Sequence, residues 1–336
     1  MDSSPRSMRI CITRPPPRWW PEGLPRYENN RAMEFAAEHH IVPSSRAVAQ
    51  EFEQLRSTLA RWADVHVFDF PEDLDRAQPP RHDFVFCRDS FIAGPGGKIV
   101  MASFQERLRN REAEHYLRSL RELGYDPILA PVDAHIEGGE VFYLPGDDML
   151  ISGLNRANRA GIRFLAETFG TSRVYTFPTL AFHLDTSFCP VLDRDARLVA
   201  VLAFTEFFTP SGQEALEAFA AETGVEVLPV HPEDSVGPVV GNRRDHVEDV
   251  WVPPASLDRP EDRAKFQRES RRARSLGQYC VNCLSLPGVL IGTSHFVSPG
   301  VEDRLQDLGI QHVTTPLTQY RYSAGGVHCA TNELPG

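Results

Sequence analysis

The feature that most constrains the fold of this chain is an internal repeat. Each copy consists of an apolar strand, a polar loop, an amphipathic helix that often ends in glycine, and a second short strand rich in β-branched residues. Glycine suits the left-handed C-cap of a helix, and proline ends the strand that follows. Five copies are present, at residues 41–70, 99–132, 149–177, 198–230 and 289–316. The pattern predicts an α/β fold built from five repeated strand-helix-strand units.

A short segment that mixes apolar and chemically reactive residues follows each second strand. These segments are residues 84–92, 136–144, 182–191, 280–286 and 325–334. The spacing from Asp89 to Glu137 is 48 residues, that from Glu137 to His183 is 46, and Cys329 lies 47 residues after Asn282. By contrast, 99 residues separate His183 from Asn282. The fourth unit therefore contains an insert.

The insert covers residues 231–278 and contains the proline-rich and charged stretches PEDSVGP, VPP and DRPEDR. We expect it to lie on the surface, as a lid, a rim or a solvated decoration, and not to form a core of its own. Residues 1–336 are thus expected to form a single domain. Five units that each place one strand around a common axis make a closed, propeller-like ring, in which equivalent segments converge on one central site.

The converging segments supply Asp89, Glu137, His183, Asp185 and Cys329. Three carboxylates, an imidazole and a thiol are costly to bury together unless a cation binds among them. A guanidinium ion is such a cation, because it is planar and its N–H groups pair with carboxylates. Two aspartates that hold this group leave its central carbon open to attack by a thiolate.

The remaining groups fit the proton transfers of such a reaction. A bound positive charge lowers the pKa of a thiol that burial alone would raise, so the substrate would help to ionise Cys329. His183 would give a proton to the departing amine and later take one from water, and Glu137 would orient His183 and raise its basicity. We expect Asn282 to brace the site.

Composition and charge bear on the partners of the chain. The formal net charge is −11, from 35 basic and 46 acidic residues, with no basic stretch that could follow a phosphate backbone, so we expect no nucleic-acid partner. No apolar run approaches the roughly 18 residues of a membrane span, and no secretory leader is recognisable, so we expect no membrane partner and a cytoplasmic location. The six cysteines match neither a disulfide framework nor a zinc finger, and we assign Cys280 and Cys283 to packing.

Four ordered motifs resemble those of a known enzyme superfamily. FCRDSF, IEGGE, FHLDT and AGGVHC are similar, in order and spacing, to motifs of the guanidino-group-modifying enzymes, which include arginine deiminases, dimethylargininases, agmatine deiminases and amidinotransferases. The resemblance covers about residues 8 to 334. It implies a five-bladed pseudo-symmetric α/β propeller of the pentein type and a covalent thiouronium-type intermediate on cysteine.

The resemblance also implies roles for individual residues. Cys329 matches the nucleophile, His183 the acid and base, and Glu137 its partner. Asp89 and Asp185 match the ligands of the guanidinium.

Two further similarities concern the substrate. RNREAE and LNRANRAG are similar to stretches that bind the substrate α-carboxylate, which points to Arg111 and Arg156. HLDT at 183–186 keeps a second aspartate, whereas dimethylargininases resemble HLKT there. An unmethylated or singly substituted guanidine is therefore favoured over dimethylarginine.

Three functions remain open at this stage. The first is a hydrolase that acts on the guanidino group of arginine or an arginine derivative and releases ammonia or an amine. The second is an amidinotransferase, in which an acceptor amine replaces water, and the third is a non-catalytic propeller that binds a cation. The two enzymatic functions need a small-molecule guanidino substrate and no metal or organic cofactor. Trp19 and Trp20 either line a substrate lid or anchor the N-terminal segment by packing, and the oligomeric state, a homo-oligomer included, stays open.

Overall fold

The protein has an α/β fold whose described strands form five three-stranded sheets. The computed structural model describes residues 8–26, 31–231, 259–261, 264, 280–296 and 298–335. Within these ranges the strands are β1 (Arg9–Thr13), β2 (Asp64–Phe68), β3 (Phe91–Ala93), β4 (Ile99–Met101), β5 (Ile128–Leu129), β6 (Val141–Leu144), β7 (Met149–Gly153), β8 (Arg173–Phe177), β9 (Phe188–Leu192), β10 (Leu198–Ala203), β11 (Glu226–Pro229), β12 (Leu284–Leu286), β13 (Val289–Gly292), β14 (Gln311–Thr314) and β15 (Thr331–Leu334). The helices are α1 (Arg31–Glu38), α2 (Ser45–Leu59), α3 (Glu72–Asp75), α4 (Asn110–Glu122), α5 (Arg159–Phe169), α6 (Pro210–Thr223) and α7 (Val301–Asp307).

All five sheets have the same plan. A central strand pairs antiparallel with one neighbour and parallel with the other, in the orders β15-β1-β2, β3-β4-β5, β6-β7-β8, β9-β10-β11 and β12-β13-β14. The parallel partner is reached through a helix, because parallel strands need a crossover connection. The five strand-helix-strand units predicted from the repeat are therefore present.

The first unit begins at a different strand from the one predicted. The sequence pattern placed its start at Ile41, but the central strand of that sheet is β1, which runs parallel to β2 with Cys11 opposite His66. Ile41 is buried without being part of a strand, and its N–H donates to the carbonyl of Ala36 at 2.9 Å just after α1. The prediction was wrong because α1 and its flanking loops separate β1 from α2, whereas the other units have short connections.

Two helix ends illustrate how the local sequence sets the element boundaries. Gly170 and Gly224 follow α5 and α6 with φ of +80° and +71°, and their N–H groups donate to the carbonyls of Ala166 and Ala220. This left-handed conformation favours glycine because a Cβ would crowd the backbone. The predicted glycine C-caps are thus present.

The reactive residues of these segments lie in turns that come directly before strands. Asp89 lies in a 3-10 turn formed by Cys87–Ser90, and Asp185 lies in another formed by Leu184–Thr186. His183 is the extended residue that precedes the second turn. The backbone turns between His183 and Asp185, so the two residues do not share one face of a strand.

The N-terminal tryptophans are part of the core. Trp19 and Trp20 are 1% and 2% exposed, and they pack in a cluster that includes Tyr320. The indole N–H of Trp20 donates to Oγ of Ser323 at 3.0 Å, and that of Trp19 donates to the carbonyl of His82. Of the two interpretations offered by the sequence, packing is the one that fits. 

Two other predictions concern the insert and the buried thiols. Most of the insert at 231–278 lies outside the described residues. Cys280 and Cys283 belong to an apolar cluster, as predicted.

Among the described helices, none has the length and apolar character needed to cross a membrane.

Candidate active site

Cys329 lies in the turn directly before β15 and is 6% exposed. Its thiol donates to Oδ2 of Asp185 at 3.4 Å and accepts from the side-chain amide of Asn282 at 3.0 Å. Its backbone carbonyl accepts from the N–H of Arg88 at 3.3 Å, which joins this turn to the turn that carries Asp89. The sulfur therefore contacts Asp185 and Asn282, and Cys329 also borders the apolar cluster that contains Tyr320.

Asn282 braces the thiol from two sides, as the sequence suggested. Its Oδ1 accepts from the N–H groups of Gly326 and Cys329 at 3.1 and 3.0 Å, and its Nδ2 also donates to the carbonyl of Asp185 at 3.2 Å. A Cβ on Gly326 would lie 2.7 Å from Asn282 Oδ1, so only glycine permits this approach. One amide thus fixes the segments that carry the nucleophile and an aspartate.

His183 and Glu137 form a buried pair. Nε2 of His183 donates to Oε2 of Glu137 at 2.8 Å, and the other oxygen of Glu137 accepts from the N–H of Gln105 at 3.2 Å. A Cβ on Gly139 would lie 2.7 Å from Nδ1 of His183, so the glycine makes room for the imidazole. Glu137 therefore fixes the orientation of the ring.

The two aspartates each have one oxygen that is held and one that is not. Oδ2 of Asp89 accepts from Nη1 of Arg109 at 2.9 Å, and Oδ2 of Asp185 accepts from Nδ1 of His328 at 2.8 Å. Oδ1 of Asp89 lies 3.5 Å from Nδ1 of His183. Both Oδ1 atoms are buried and have no hydrogen-bond partner among the described residues. Buried oxygens without a donor are rare and mark places where a ligand can bind.

The charges of the site favour a protonated imidazole and a neutral thiol when no ligand is bound. Burial alone would lower the pKa of His183, but the carboxylates of Asp89, Glu137 and Asp185 raise it to about 9. Burial and the carboxylates of Asp185 and Asp89 raise the pKa of Cys329 well above its usual value, against the opposing N–H of Gly326 and amide of Asn282. The thiol therefore needs a further positive charge to ionise.

Of the two arginines expected to bind a substrate carboxylate, the structure brings only Arg156 to the site. Its guanidinium lies 4.2 Å from the ring centroid of Phe182, which precedes His183. Burial raises the pKa of Glu137, but the larger effect of His183 and the smaller effect of Arg156 lower it. Arg111 is exposed on α4. The expectation for Arg111 was wrong, because the buried face of α4 contains Glu112, and Arg111 projects from another face.

Arg109 is the site residue that the sequence interpretation missed. It is buried, its Nη1 donates to Asp89, and its Nε and Nη2 donate to Oε2 of Glu112 at 3.1 and 2.9 Å. Its guanidinium also lies 4.5 Å from the ring centroid of Phe104. The signal was the spacing of Arg109 and Glu112, since residues three apart share a helix face.

Glu140, three residues after Glu137, is also buried but has a different set of partners. Its Oε1 accepts from the N–H of Asn155 at 2.6 Å and from that of Arg156 at 3.2 Å, and its Oε2 accepts from that of Leu184 at 2.8 Å. The side chain thus ties the loop after β7 to the turn that carries Asp185. Both glutamates are buried, at 1% and 0% exposed, so neither is a solvated surface acid.

Comparison with known proteins bears on the fold. Neither the protein-family profiles nor the curated protein sequences give a match to this chain. Among solved structures, the N-terminal domain of ArgZ, in a variant covalently bound to a reaction intermediate, has a TM-score of 0.70 at 18% identity, with 98% of each chain covered. Another structure of that domain, a cysteine-to-serine variant bound to substrate and described as an arginine dihydrolase of cyanobacteria, has a TM-score of 0.68 at 17% identity, with 97% of this chain and 98% of that chain covered.

A third similar structure is DDAH from Pseudomonas aeruginosa, a cysteine-to-serine variant in complex with citrulline. It has a TM-score of 0.62 at 14% identity and covers 97% of this chain and 99% of its own. At these identities the likeness concerns the fold. The chain therefore has, over nearly its whole length, the α/β fold of these enzymes.

Proposed function

We propose that this protein is a hydrolase that acts on the guanidino group of arginine or an arginine derivative through a covalent intermediate on Cys329. One observation carries the proposal. The thiol of Cys329, the paired imidazole of His183 and the unpartnered oxygens of Asp89 and Asp185 belong to one buried cluster. The similar structures support it, because ArgZ is described as an arginine dihydrolase and DDAH was solved with citrulline.

A guanidinium fits the unpartnered oxygens of the two aspartates. Each oxygen is buried, so its desolvation is uncompensated until a donor binds. A flat cation with several N–H groups can donate to Asp89 and Asp185 at once, which a primary ammonium ion does less well because its donors are not coplanar. The same cation stands beside Cys329, where its charge offsets the carboxylates that raise the pKa of the thiol.

The first half of the proposed reaction forms the covalent intermediate. The thiol of Cys329 gives its proton to solvent as the cation binds, and the resulting thiolate adds to the central carbon of the guanidinium. The C–N bond to the leaving group then breaks. His183, whose pKa of about 9 keeps it protonated near neutral pH, supplies the proton that the departing nitrogen needs. An amidino group remains bound to sulfur.

The second half releases the product. Neutral His183 takes a proton from water, and the hydroxide adds to the same carbon. The hydroxyl of this adduct loses its proton to solvent as the C–S bond breaks. This step returns the thiolate of Cys329 and leaves a neutral ureido product. Glu137 stabilises the imidazolium in the first half and keeps the ring in position in the second.

For the far end of the substrate we propose Arg156 as the ligand of a carboxylate, and we assign Arg109 to holding Asp89. Arg156 is half-buried and stacks on Phe182, whose ring contacts that of His183. Arg109 is already bound by Glu112 and Asp89. An expected carboxylate ligand at Arg111 has no support, because that side chain is exposed.

The test is an assay of the purified protein with arginine, with and without glycine as an acceptor amine, in which citrulline, ornithine and ammonia are measured. Citrulline with ammonia supports hydrolysis. So does ornithine formed in the absence of glycine, which is accompanied by urea after one hydrolysis and by ammonia when the ureido group of citrulline is hydrolysed in turn. Ornithine formed only with glycine replaces the proposal with amidino transfer. Agmatine and monomethylarginine in parallel assays define the substrate class.

The nucleophile is tested by a pair of cysteine variants. We expect C329S to reduce turnover to background with an unchanged unfolding midpoint, because serine is not ionised by a bound cation. C189A is the matched control, since Cys189 is a fully buried thiol outside the site, and it should keep its activity. Normal turnover by C329S would remove the proposed mechanism, and so would loss of turnover by folded C189A.

We further propose that the five sheets surround a common axis and that residues 1–336 form one catalytic unit with the insert at 231–278. Two observations support this. β1 pairs with β15, so strands from the two ends of the chain share a sheet. A cavity of about 230 Å³ is lined by residues of β3, β6, β9, β12 and β15, which is one strand from each sheet.

The expected cytoplasmic location stays a prediction, and the six free cysteines are consistent with a reducing compartment.

A further inference from the structure

Three metal-ligand side chains converge in the fifth unit, away from the catalytic cluster. His295 lies in the loop after β13, Glu302 in the first turn of α7, and His312 in β14. One ligand atom from each of the three lies within 4.8 Å of the others. In the described part of the chain this is the only such group of three. None of the three hydrogen-bonds to the catalytic side chains among the described residues.

The separations between the donor atoms are close to those of a metal's coordination shell. Oε1 of Glu302 lies 2.9 Å from Nδ1 of His312 and 3.3 Å from Nδ1 of His295. Around a tetrahedral zinc ion with bonds of about 2.0–2.1 Å, neighbouring ligand atoms are about 3.3 Å apart. Small side-chain adjustments would therefore let an ion enter among the three donors.

The surroundings hold two of the three donors in place without an ion. The backbone N–H of Phe296 donates to Oε1 of Glu302 at 2.8 Å, and the ring of Phe296 stacks on His312 with centroids 4.9 Å apart. The side chain of His312 is 4% exposed, and its Nε2 is buried near Gly292, where a Cβ would approach it to 3.1 Å. The ring thus presents Nδ1 to Glu302. A site held in this way loses little freedom when it binds.

The third donor leaves the site open to solvent. The side chain of His295 is 42% exposed and that of Glu302 is 35% exposed, whereas His312 forms the buried wall. An ion can therefore enter from the His295 side, and water can complete its coordination. Two imidazoles and one carboxylate form a donor set typical of zinc and of other divalent transition metals, and magnesium prefers oxygen ligands.

We propose that His295, Glu302 and His312 form a binding site for a divalent transition-metal ion of the zinc type, with water in the remaining coordination position. The ion ties the loop after β13 to α7 and β14, so its role is to stabilise the fifth unit. It takes no part in the reaction at Cys329, and the proposal stands independently of that reaction.

The alternative is that Glu302 only accepts hydrogen bonds from the two imidazoles. The test uses the full chain with the C329S substitution, which removes the catalytic thiol as a competing zinc ligand, after dialysis against a chelator. Zn²⁺ is titrated by calorimetry into this protein and into the same protein with H295A or E302Q added. Both changes are mild, because His295 is partly exposed and a glutamine oxygen still accepts from Phe296.

The matched control is H115A in the same background. His115 pairs with a carboxylate, that of Asp73 at 3.0 Å, as His295 does, but no third metal-ligand side chain joins this pair among the residues that the structure describes. We expect the parent and the H115A protein to bind one equivalent of Zn²⁺. The H295A and E302Q proteins should not bind this equivalent, or should bind it at least tenfold more weakly. That equivalent should raise the unfolding midpoint, give visible d–d absorption with Co²⁺, and resist excess Mg²⁺.

Two results would overturn the proposal. One is a parent protein that binds no Zn²⁺ after chelation. The other is Zn²⁺ binding of equal stoichiometry and affinity in the parent, H295A and E302Q proteins, which would place the ion at other residues. Circular dichroism of each variant distinguishes a lost site from a lost fold.

Discussion

Two neighbouring residues of one turn, Asp89 and Arg88, face regions of opposite character. Asp89 faces His183 and has a buried oxygen without a partner. Arg88 faces the 230 Å³ cavity and is bound by both oxygens of Glu333 and by the carbonyl of His328. Both side chains are buried and charged, so burial alone does not separate function from structure. The difference lies in their hydrogen bonds. The guanidinium of Arg88 is fully paired, whereas the carboxylate of Asp89, which we assign to the reaction, has one oxygen left for a ligand.

The largest effect should come from His183. We expect H183Q to lower kcat by about 10²–10⁴, the range typical of a lost general acid and base, because neither the leaving group nor water then exchanges a proton with the enzyme. Steady-state assays with the substrate found above, together with the unfolding midpoint, measure this. A folded H183Q protein with near-normal kcat would remove His183 from the reaction.

A smaller effect distinguishes two arginines. We expect R156A to raise KM by roughly 10–100-fold, since a charge-assisted hydrogen bond is worth about 1.5–3 kcal/mol. R111A is the matched control and should leave KM unchanged, because Arg111 is exposed on α4. With agmatine, which has no carboxylate, R156A and R111A should both change KM equally little. Equal KM values for R156A and R111A with arginine would mean that Arg156 does not bind the carboxylate.

The ion pair of Arg88 and Glu333 should matter for the stability of the protein and not for the reaction. E333Q leaves Arg88 with a weaker partner, and because Glu333 is partly exposed we expect a loss of about 1–2 kcal/mol in the free energy of unfolding. Denaturant titration measures this loss, and kcat per folded molecule should stay within about twofold. A large fall in kcat without a loss of stability would contradict the comparison between the two regions.

The last expected effect is a dependence of stability on pH that His183 causes. Its pKa is raised from 6.5 to about 9 in the folded protein, so its contribution is fully present below pH 6.5 and is lost as pH rises through about 9. The unfolding free energy of the wild type should therefore fall relative to that of H183Q between pH 7 and pH 10. A constant difference over this range would mean that His183 is not held as an imidazolium.

The fold and most of the candidate site were predictable from the sequence because both leave local patterns. Helix-ending glycines such as Gly170 and the regular spacing of Asp89, Glu137 and His183 follow directly from the repeat. The start of the first unit was not predictable, because Ile41 has the same local pattern as a strand residue and only the pairing of β1 with β15 excludes it.

The arginines and the metal-ligand group show a second limit. Arg109 and Arg111 are two residues apart, and only the orientation of α4 decides which one is buried. His295, Glu302 and His312 form no recognisable motif, since their spacing follows from a loop, a helix and a strand that come together in space. Which side chains meet is thus decided by contacts between secondary-structure elements, and a single sequence does not show these contacts.

The most direct test of the central claim compares two alkylating reagents of nearly the same shape. 2-Chloroacetamidine is a flat cation and chloroacetamide is neutral, so their relative rates with Cys329 measure whether the aspartates hold a cation against the sulfur. Peptide mapping should find Cys329 alkylated much faster by the amidine in the wild type, and D185N should lose most of that preference. Equal rates for the two reagents in the wild type, or an unchanged preference in D185N, would contradict the account.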